Sequence, residues 1–352
     1  MYVRNCWYVA AWSHELGEAE LISRTVINQA IVLYRAADGS LVGMEDRCCH
    51  RFAPLSKGRR EGDDVRCMYH GMRFDRRGVC NDIPGQSLIP PKARVKTFPV
   101  VEKHSWIWVW MGEAAKADVA LIPPAVGLDD PRYTLRCGQM DYQADYLLIN
   151  DNLTDFSHLS YVHANSFKAS EEWARDRSTT TRVPRGIRVQ RWVPADPSAE
   201  SPVTSLSRDH DGWATYDYLA PGVLLMYNAN FPAGSAAASN FGAPAAHLRP
   251  ISENFTSQAI TPLTGRSARY FFSWGPNVAE GSDALAAKML EVANTAFTED
   301  RVMIEAQQEV IDRNPPTQQV LTGHDKGPSL MRRVLEELIA AESAPAVTTS
   351  VA

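Results

Sequence analysis

The first third of the chain alternates short apolar runs with turn-forming residues. Ala30-Ile31-Val32-Leu33-Tyr34 is followed at once by Ala37-Asp38-Gly39-Ser40, and Trp106-Ile107-Trp108-Val109-Trp110 ends at Gly112. Runs of β-branched and aromatic residues of this length, bounded by Asp, Gly and Ser, predict short strands. Residues 1–112 therefore read as a small all-β domain. The stretch from Gly112 to Pro131 mixes Ala, Asp, Pro and Gly, and the boundary is placed there, leaving 113–352 as a second domain. In it, residues 203–278 read mostly as strands. They are interrupted by a Gly/Ala/Ser-rich loop from Pro232 to Ala246, expected to be mobile or to line a pocket.

Further on the period changes. Residues 283–313 predict a helix whose apolar face carries Met289, Val292, Ala296, Met303 and Val310. Asp300 falls on that same face. Residues 329–341 predict a second amphipathic helix, with Leu330, Val334, Leu335 and Leu338 together, and the tail after Glu342 is expected to fray. No internal repeat is visible. The fold class is α+β.

Composition adds exclusions. The 352 residues are 45% hydrophobic and 22% charged, with a formal charge of −5 and no Lys/Arg block, which argues against nucleic acid as a partner. No apolar run approaches the ~18 residues of a membrane span. The opening residues lack the basic and apolar regions of a signal peptide. Six cysteines are too sparse for a disulfide scaffold, so a cytoplasmic location is expected.

Two motifs carry chemistry. Cys48-Cys49-His50 and Cys67-Met68-Tyr69-His70 spell C-x-H, sixteen intervening residues, then C-x2-H. Two thiolates and two imidazoles suit a [2Fe–2S] centre in which histidines hold one iron; the same set also suits tetrahedral zinc. The second motif is Asp155-x2-His158-x4-His163. Five residues turn an ideal helix by about 140°, so both histidines reach one metal only if the helix ends or bulges, expected near Ser160. A triad of two histidines and one carboxylate holds non-heme Fe(II). Asp300 is the best third ligand, because a carboxylate on an apolar helix face requires an offsetting cation. Its alternative is a buried ion pair with Arg301 or a strand arginine. Glu299 and Glu305, the rival carboxylates, fall off that face.

With Tyr69-His70-Gly71-x-x-Phe74, the cluster segment resembles the Rieske domain of ring-hydroxylating and O-demethylating oxygenases. Cys49 stands where that family usually has proline. Ala53 and Tyr69 stand where respiratory Rieske proteins carry an extra cysteine pair. Thr298-Glu299-Asp300-Arg301 resembles the place of the family's late metal-binding aspartate. The run Val3 to Trp12 and Pro84-Gly85-Gln86 with Ile89-Pro90-Pro91 resemble the subgroup of vanillate demethylase, dicamba demethylase and toluenesulfonate monooxygenase.

The resemblance implies a terminal oxygenase component. Its β-rich Rieske [2Fe–2S] domain, ligated by Cys48, His50, Cys67 and His70, precedes a catalytic domain with a curved antiparallel sheet and flanking helices. Fe(II) would sit at His158, His163 and Asp300. Asn152 and Asp155 would act beside it, Asp155 orienting His158 and bridging to His70 of a neighbouring subunit in a head-to-tail homotrimer. No G-x-G-x-x-G fingerprint occurs, so electrons would come from a separate NAD(P)H-dependent reductase, directly or through a ferredoxin. The substrate would be a small aromatic compound, an aromatic acid in this subgroup, oxidised with O2 by O-demethylation or methyl hydroxylation. The metal motifs equally suit angular or ring dioxygenation of an aryl ether carboxylate. Outside enzymes, a Rieske ferredoxin-like carrier or a zinc-binding protein remains open. Tyr227, Asn228, Asn230 and Gln258 are the candidate substrate contacts.

Overall fold

The computed structural model describes residues 1–18, 20–175, 178–195, 209–315 and 317–343. The expectation for the tail after Glu342 lies almost wholly outside them, as does the start of the 203–278 stretch. The N-terminal part holds two four-stranded sheets and one of three strands. The predicted run at 30–34 sits in the strand Gln29–Arg35, and its turn closes with Ala36 N–H donating to the Ser40 carbonyl at 2.8 Å. Gly39 there has φ +81°, a left-handed conformation that glycine adopts without a Cβ clash.

The strand Trp106–Trp110 is buried at every position, which explains why it does not alternate. It is central in its sheet, between Trp7–Trp12 and Val100–Lys103. One face packs Ile107 and Val109 into the main core. The other packs Trp106, Trp108 and Trp110 against Val223, Leu225, Ala259 and Phe271 of the C-terminal part. Thr261 Oγ1 also donates to the Val9 carbonyl at 2.6 Å. The two halves thus share a buried face, which fixes the cluster loops relative to the rest of the chain.

The C-terminal part is one seven-stranded antiparallel sheet in the order Arg136–Tyr142, Ser267–Pro276, Ser252–Thr264, Val223–Pro232, His210–Leu219, Gly186–Val193 and Thr179–Val183. The helix Asp283–Arg313, capped by Ser282 Oγ accepting from Leu285 N–H, packs on the first two of these strands. The helix Lys326–Ser343 packs against Tyr146–Thr154, with Arg332 paired to Asp151 at 2.5 Å.

The apolar face read for the long helix needs correction. Met289, Val292 and Ala296 are buried, but Met303 and Val310 are 58% and 61% exposed. The buried row past Ala296 is Asp300, Ile304 and Gln308. Steps of four residues advance about 40° each around the axis, so this row leaves Met303 and Val310 on the solvent side. The Gly/Ala/Ser-rich loop also departs from expectation. It forms a short helix, Ser235–Ala238, held by Asp211 Oδ2 accepting from Ala236 N–H at 2.7 Å.

Candidate metal centres and substrate cavity

The two cluster loops are built alike. Phe52 N–H donates to the Cys48 carbonyl and Cys48 N–H to the Ala53 carbonyl, at 3.0 and 2.8 Å; Gly71 N–H and Cys67 N–H repeat this with Cys67 and Met72, at 2.9 and 2.8 Å. The equivalent residues Phe52 and Gly71 both have positive φ, 60° and 77°. Gly71 is also required by space, since a Cβ would lie 2.6 Å from Pro84. Buried Asp46 pins the first loop by accepting from Ser56 N–H and Ser56 Oγ, both at 2.7 Å. Arg66 pins the second through the Gly71 carbonyl at 2.6 Å.

Cys48 and Cys67 are each 2% exposed, whereas His50 and His70 lie at the surface with ring centroids 4.6 Å apart. Burial pushes the Cys48 thiol up to about 12. Thiolates at that depth require metal cations beside them. An inner thiol pair and an outer imidazole pair fit a two-iron cluster with one iron buried and one facing solvent.

The second site forms where one helix stops. Tyr146–Thr154 ends at Asp155, whose extended backbone (φ −134°, ψ 104°) breaks the helix; a 3-10 turn Phe156–His158 and one α turn Leu159–Val162 follow, ending at His163. A first break lies at Asp155, before His158; between the two histidines the 3-10 turn passes into a single α turn that ends at His163, within three residues of the expected Ser160. His158 Nε2 lies 3.5 Å from Asp300 Oδ1, and His163 Nε2 lies 3.3 Å from Asp300 Oδ2. One ligand atom from each of the three lies within 4.8 Å of the others.

Both Nδ1 atoms are engaged elsewhere. His158 Nδ1–H donates to the Asp155 backbone carbonyl at 2.7 Å, and His163 Nδ1–H to Glu299 Oε2 at 3.0 Å. This leaves both Nε2 lone pairs facing the carboxylate, the tautomer a metal needs. Asn152 Nδ2 donates to Asp300 Oδ1 at 2.9 Å. Burial lowers the His158 pKa. For His163 burial also opposes protonation, but the Asp300 and Glu299 carboxylates outweigh it and raise the value. The site thus calls for positive charge.

Two expectations need restating. The Asp155 carboxylate does not touch His158: it caps the 3-10 turn by accepting from Ser157 N–H at 2.8 Å, and its carbonyl orients the imidazole. Glu299, set aside as off the buried face, grips His163 and accepts from Ser166 Oγ at 2.5 Å. Its signal in the sequence was adjacency to Asp300, since consecutive residues can serve two sides of one ligand. Glu305 instead accepts from Gln143 N–H at 2.8 Å.

A cavity of about 640 Å³ opens at this site. Phe156, Phe167, Trp173, Trp274 and Phe297 give it aromatic walls, and Asn228, Asn230, Asn254 and Gln258 line its sheet side. Tyr227 does not line it. Successive strand residues alternate faces, so between Met226 and Asn228 it points to the other side, where its hydroxyl donates to Glu253 Oε2 at 2.5 Å. None of residues 233–246 lines the cavity.

Comparison with known proteins fits this geometry. Residues 6–99 match the Rieske [2Fe-2S] domain family, and residues 142–341 match the vanillate O-demethylase oxygenase C-terminal domain family. The chain belongs to the Rieske oxygenases of the vanillate O-demethylase type. It is 37% identical to the iron–sulfur subunit of the toluene-4-sulfonate monooxygenase system of Comamonas testosteroni, over 97% of this chain and 99% of that one. It is 32% identical to a vanillate O-demethylase oxygenase subunit of a Pseudomonas species, over 91% and 97%. The crystal structure of dicamba monooxygenase bound to dicamba superposes with a TM-score of 0.84 at 28% identity, covering 98% of this chain and 99% of that one.

The chain is thus an oxidoreductase, the terminal oxygenase of a Rieske system, and its cofactors are a [2Fe–2S] cluster and a mononuclear non-heme iron. Relatives are named as oxygenase components of larger systems. Among the described residues no helix is long and apolar enough to cross a membrane.

Proposed function

We propose that this oxygenase oxidises a methyl or methoxy group on a substituted aromatic compound. Cys48, His50, Cys67 and His70 would hold its cluster, and His158, His163 and Asp300 its iron. The observation that carries the reading is the convergence of two Nε2 atoms and one carboxylate on a cavity walled by aromatic rings. When bound, the cluster delivers single electrons and the iron binds and activates O2. The protein's part is positioning. Glu299 and the Asp155 carbonyl lock the two imidazoles, Asn152 holds Asp300 Oδ1, and Phe156, Trp173 and Trp274 shelter the reacting carbon from water. A methyl ether C–H bond becomes C–OH while the other oxygen atom leaves as water, with two electrons and two protons supplied. The hydroxymethyl ether then collapses to a phenol and formaldehyde.

A separate NAD(P)H-dependent reductase, alone or with a ferredoxin, supplies the electrons, because no dinucleotide fingerprint is present. The outer imidazoles sit among exposed Phe52, Met68 and Tyr69, and the iron side exposes Tyr161, Val302 and Met303. Two different apolar patches suit a head-to-tail contact that closes at threefold rotation, with Asp155 of one copy meeting His70 of the next. Asp300→Ala tests the ligand set. It should lose the mononuclear iron and formaldehyde release while the cluster spectrum persists. Retention of iron and near-normal turnover would defeat the assignment.

A further inference from the structure

Charge is distributed unevenly along this chain. Residues 46–96, which hold the cluster ligands, carry twelve lysines and arginines against six aspartates and glutamates, on a chain whose formal charge is −5. Most of these cations are paired: Arg59 and Arg66 with Glu61 at 2.6 Å each, Arg76 with Asp38 at 2.7 Å and Arg77 with Asp75 at 2.9 Å. Arg51, Lys57, Lys92, Arg94 and Lys96 differ. They are exposed and form no ion pair among the described residues. The carboxylates before the first cluster loop are already engaged, Glu45 with Arg47 at 2.7 Å and buried Asp46 with Ser23 and Ser56.

Three of the five stand in a row. Ala93 and Val95 are buried in the same core as Cys48 and Cys67. Alternation along an extended segment then turns Lys92, Arg94 and Lys96 outward together. Backbone bonds hold this segment against the cluster domain. Cys80 N–H donates to the Ala93 carbonyl at 2.9 Å, Val95 N–H to the Gly78 carbonyl at 2.8 Å, and Glu45 N–H to the Lys96 carbonyl at 2.8 Å. The Arg94 amide meets the thiol of Cys49, which lies between the cluster ligands Cys48 and His50. Arg51 follows His50 directly, and Lys57 follows the pinned Ser56. The row belongs to a different segment from the apolar tip of Phe52, Met68 and Tyr69 assigned above to the neighbouring copy.

Surface cations of this kind add little to stability. A group of one sign instead steers an oppositely charged partner and raises its association rate by about 10- to 1000-fold. An electron donor has to arrive, transfer and leave, so it gains more from steering than from tight binding.

We propose that Lys92, Arg94 and Lys96, with Arg51 and Lys57, form the landing surface for the electron donor, and that the donor is an acidic protein presenting carboxylates around its own redox group. The proposal rests on the reading that a separate protein supplies the electrons. Each encounter passes one electron. The donor's centre is oxidised, the cluster is reduced, and no bond is made or broken.

The test is stopped-flow reduction of the oxidised holoenzyme under anaerobic conditions, followed by bleaching of the cluster. The probe is a reduced plant-type [2Fe–2S] ferredoxin of net negative charge, from which transfer to a Rieske cluster runs downhill. Photoreduced deazariboflavin, small and uncharged, is the control. The rate constant with ferredoxin should fall at least about tenfold between about 0.01 and 0.15 M ionic strength, as the Debye length shrinks from about 30 to about 8 Å. The triple variant Lys92→Glu, Arg94→Glu, Lys96→Glu should slow ferredoxin at low salt by about tenfold or more and leave deazariboflavin unchanged. The matching Gln variant, a milder change should the Glu variant fail to fold, should fall between the two and show a shallower salt dependence. Reduction by ferredoxin that ignores salt, a Gln variant as fast as the parent, or an equal loss with deazariboflavin would overturn the proposal. So would a Gln variant whose light scattering shows a smaller assembly, which would assign the row to the contact between copies. A cluster that deazariboflavin reduces and ferredoxin does not would overturn the landing surface and leave the oxygenase reading standing; a spectrum that neither reagent bleaches would defeat both.

Discussion

Glu299 offers the sharpest perturbation, because its carboxylate braces His163 and is itself held by Ser166. Its Oε2 receives His163 Nδ1–H at 3.0 Å and Ser166 Oγ–H at 2.5 Å, and the imidazole between it and Asp300 is 2% exposed. Glu299→Ala leaves a buried N–H without its acceptor and frees the ring to rotate or change tautomer. Loss of such a carboxylate–histidine contact costs about 10- to 100-fold in metal affinity, or about 1.4–2.7 kcal/mol. Ala should lie near the upper bound. Glu299→Gln keeps one acceptor oxygen for the imidazole but loses the charge, and should lie near the lower bound. The assay is competition for Fe(II) against a chelator under anaerobic conditions. The cluster's visible absorption in the same sample reports that the cluster domain is intact, since Cys48 and Cys67 sit in a different core from Leu153 and Phe297 beside the iron site. Glu299→Ala protein that binds iron as tightly as the parent would refute the reasoning, and Asp300 with Asn152 would then suffice to fix the site.

Three further outcomes are expected. Purified protein should be red-brown with two irons and two labile sulfides besides the mononuclear iron, and His70→Cys should lower the cluster potential by on the order of 100 mV, because a second thiolate adds negative charge; potentiometric titration decides this. Asp155→Asn should keep both metal centres and the 3-10 cap but lose most cluster-to-iron electron transfer in single-turnover kinetics, because an amide stabilises a cationic imidazole partner less than a carboxylate does; unchanged transfer, or a fully active monomer by light scattering, would refute the intersubunit route. Glu61 is held at about 2 against an ordinary 4.5, first by Arg66 and then by Arg59. A depressed folded-state value stabilises above the unfolded value and loses that contribution as pH falls toward the folded one. Acid bleaching of the cluster should therefore separate the parent from Glu61→Gln above pH 4.5, with the difference closing as pH falls toward 2, read from visible absorption.

What the chain revealed before folding was whatever chemistry packs into a short segment. The cluster set spans 23 positions, from Cys48 to His70, and each half is a loop closed by its own backbone hydrogen bonds, so spacing alone carries the geometry. His158 and His163 were legible for the same reason, and the need for a break between them followed from helix arithmetic. Its position was read to within three residues, since the α turn after His158 ends at His163; the additional break at Asp155 shows only once its side chain is seen capping the next turn. The long helix exposed a different limit. Periodicity finds a face, but which row along that face is buried depends on how the helix crosses the strands beneath it, and the row of Asp300, Ile304 and Gln308 drifts away from Met303 and Val310. Glu299 was lost to the same assumption, that a residue off the main stripe faces water; here the other flank of the helix meets the loop that carries Ser166. The cavity wall was legible to within one residue, and in a strand one residue is a whole face. Tyr227 and Asn228 read alike as polar strand residues, yet one donates to Glu253 behind the sheet and the other lines the cavity. The electron-handling half of this oxygenase is thus encoded locally, and the half that selects a substrate is encoded in strand register, which is why similarity in the metal motifs can coexist with a different choice of substrate.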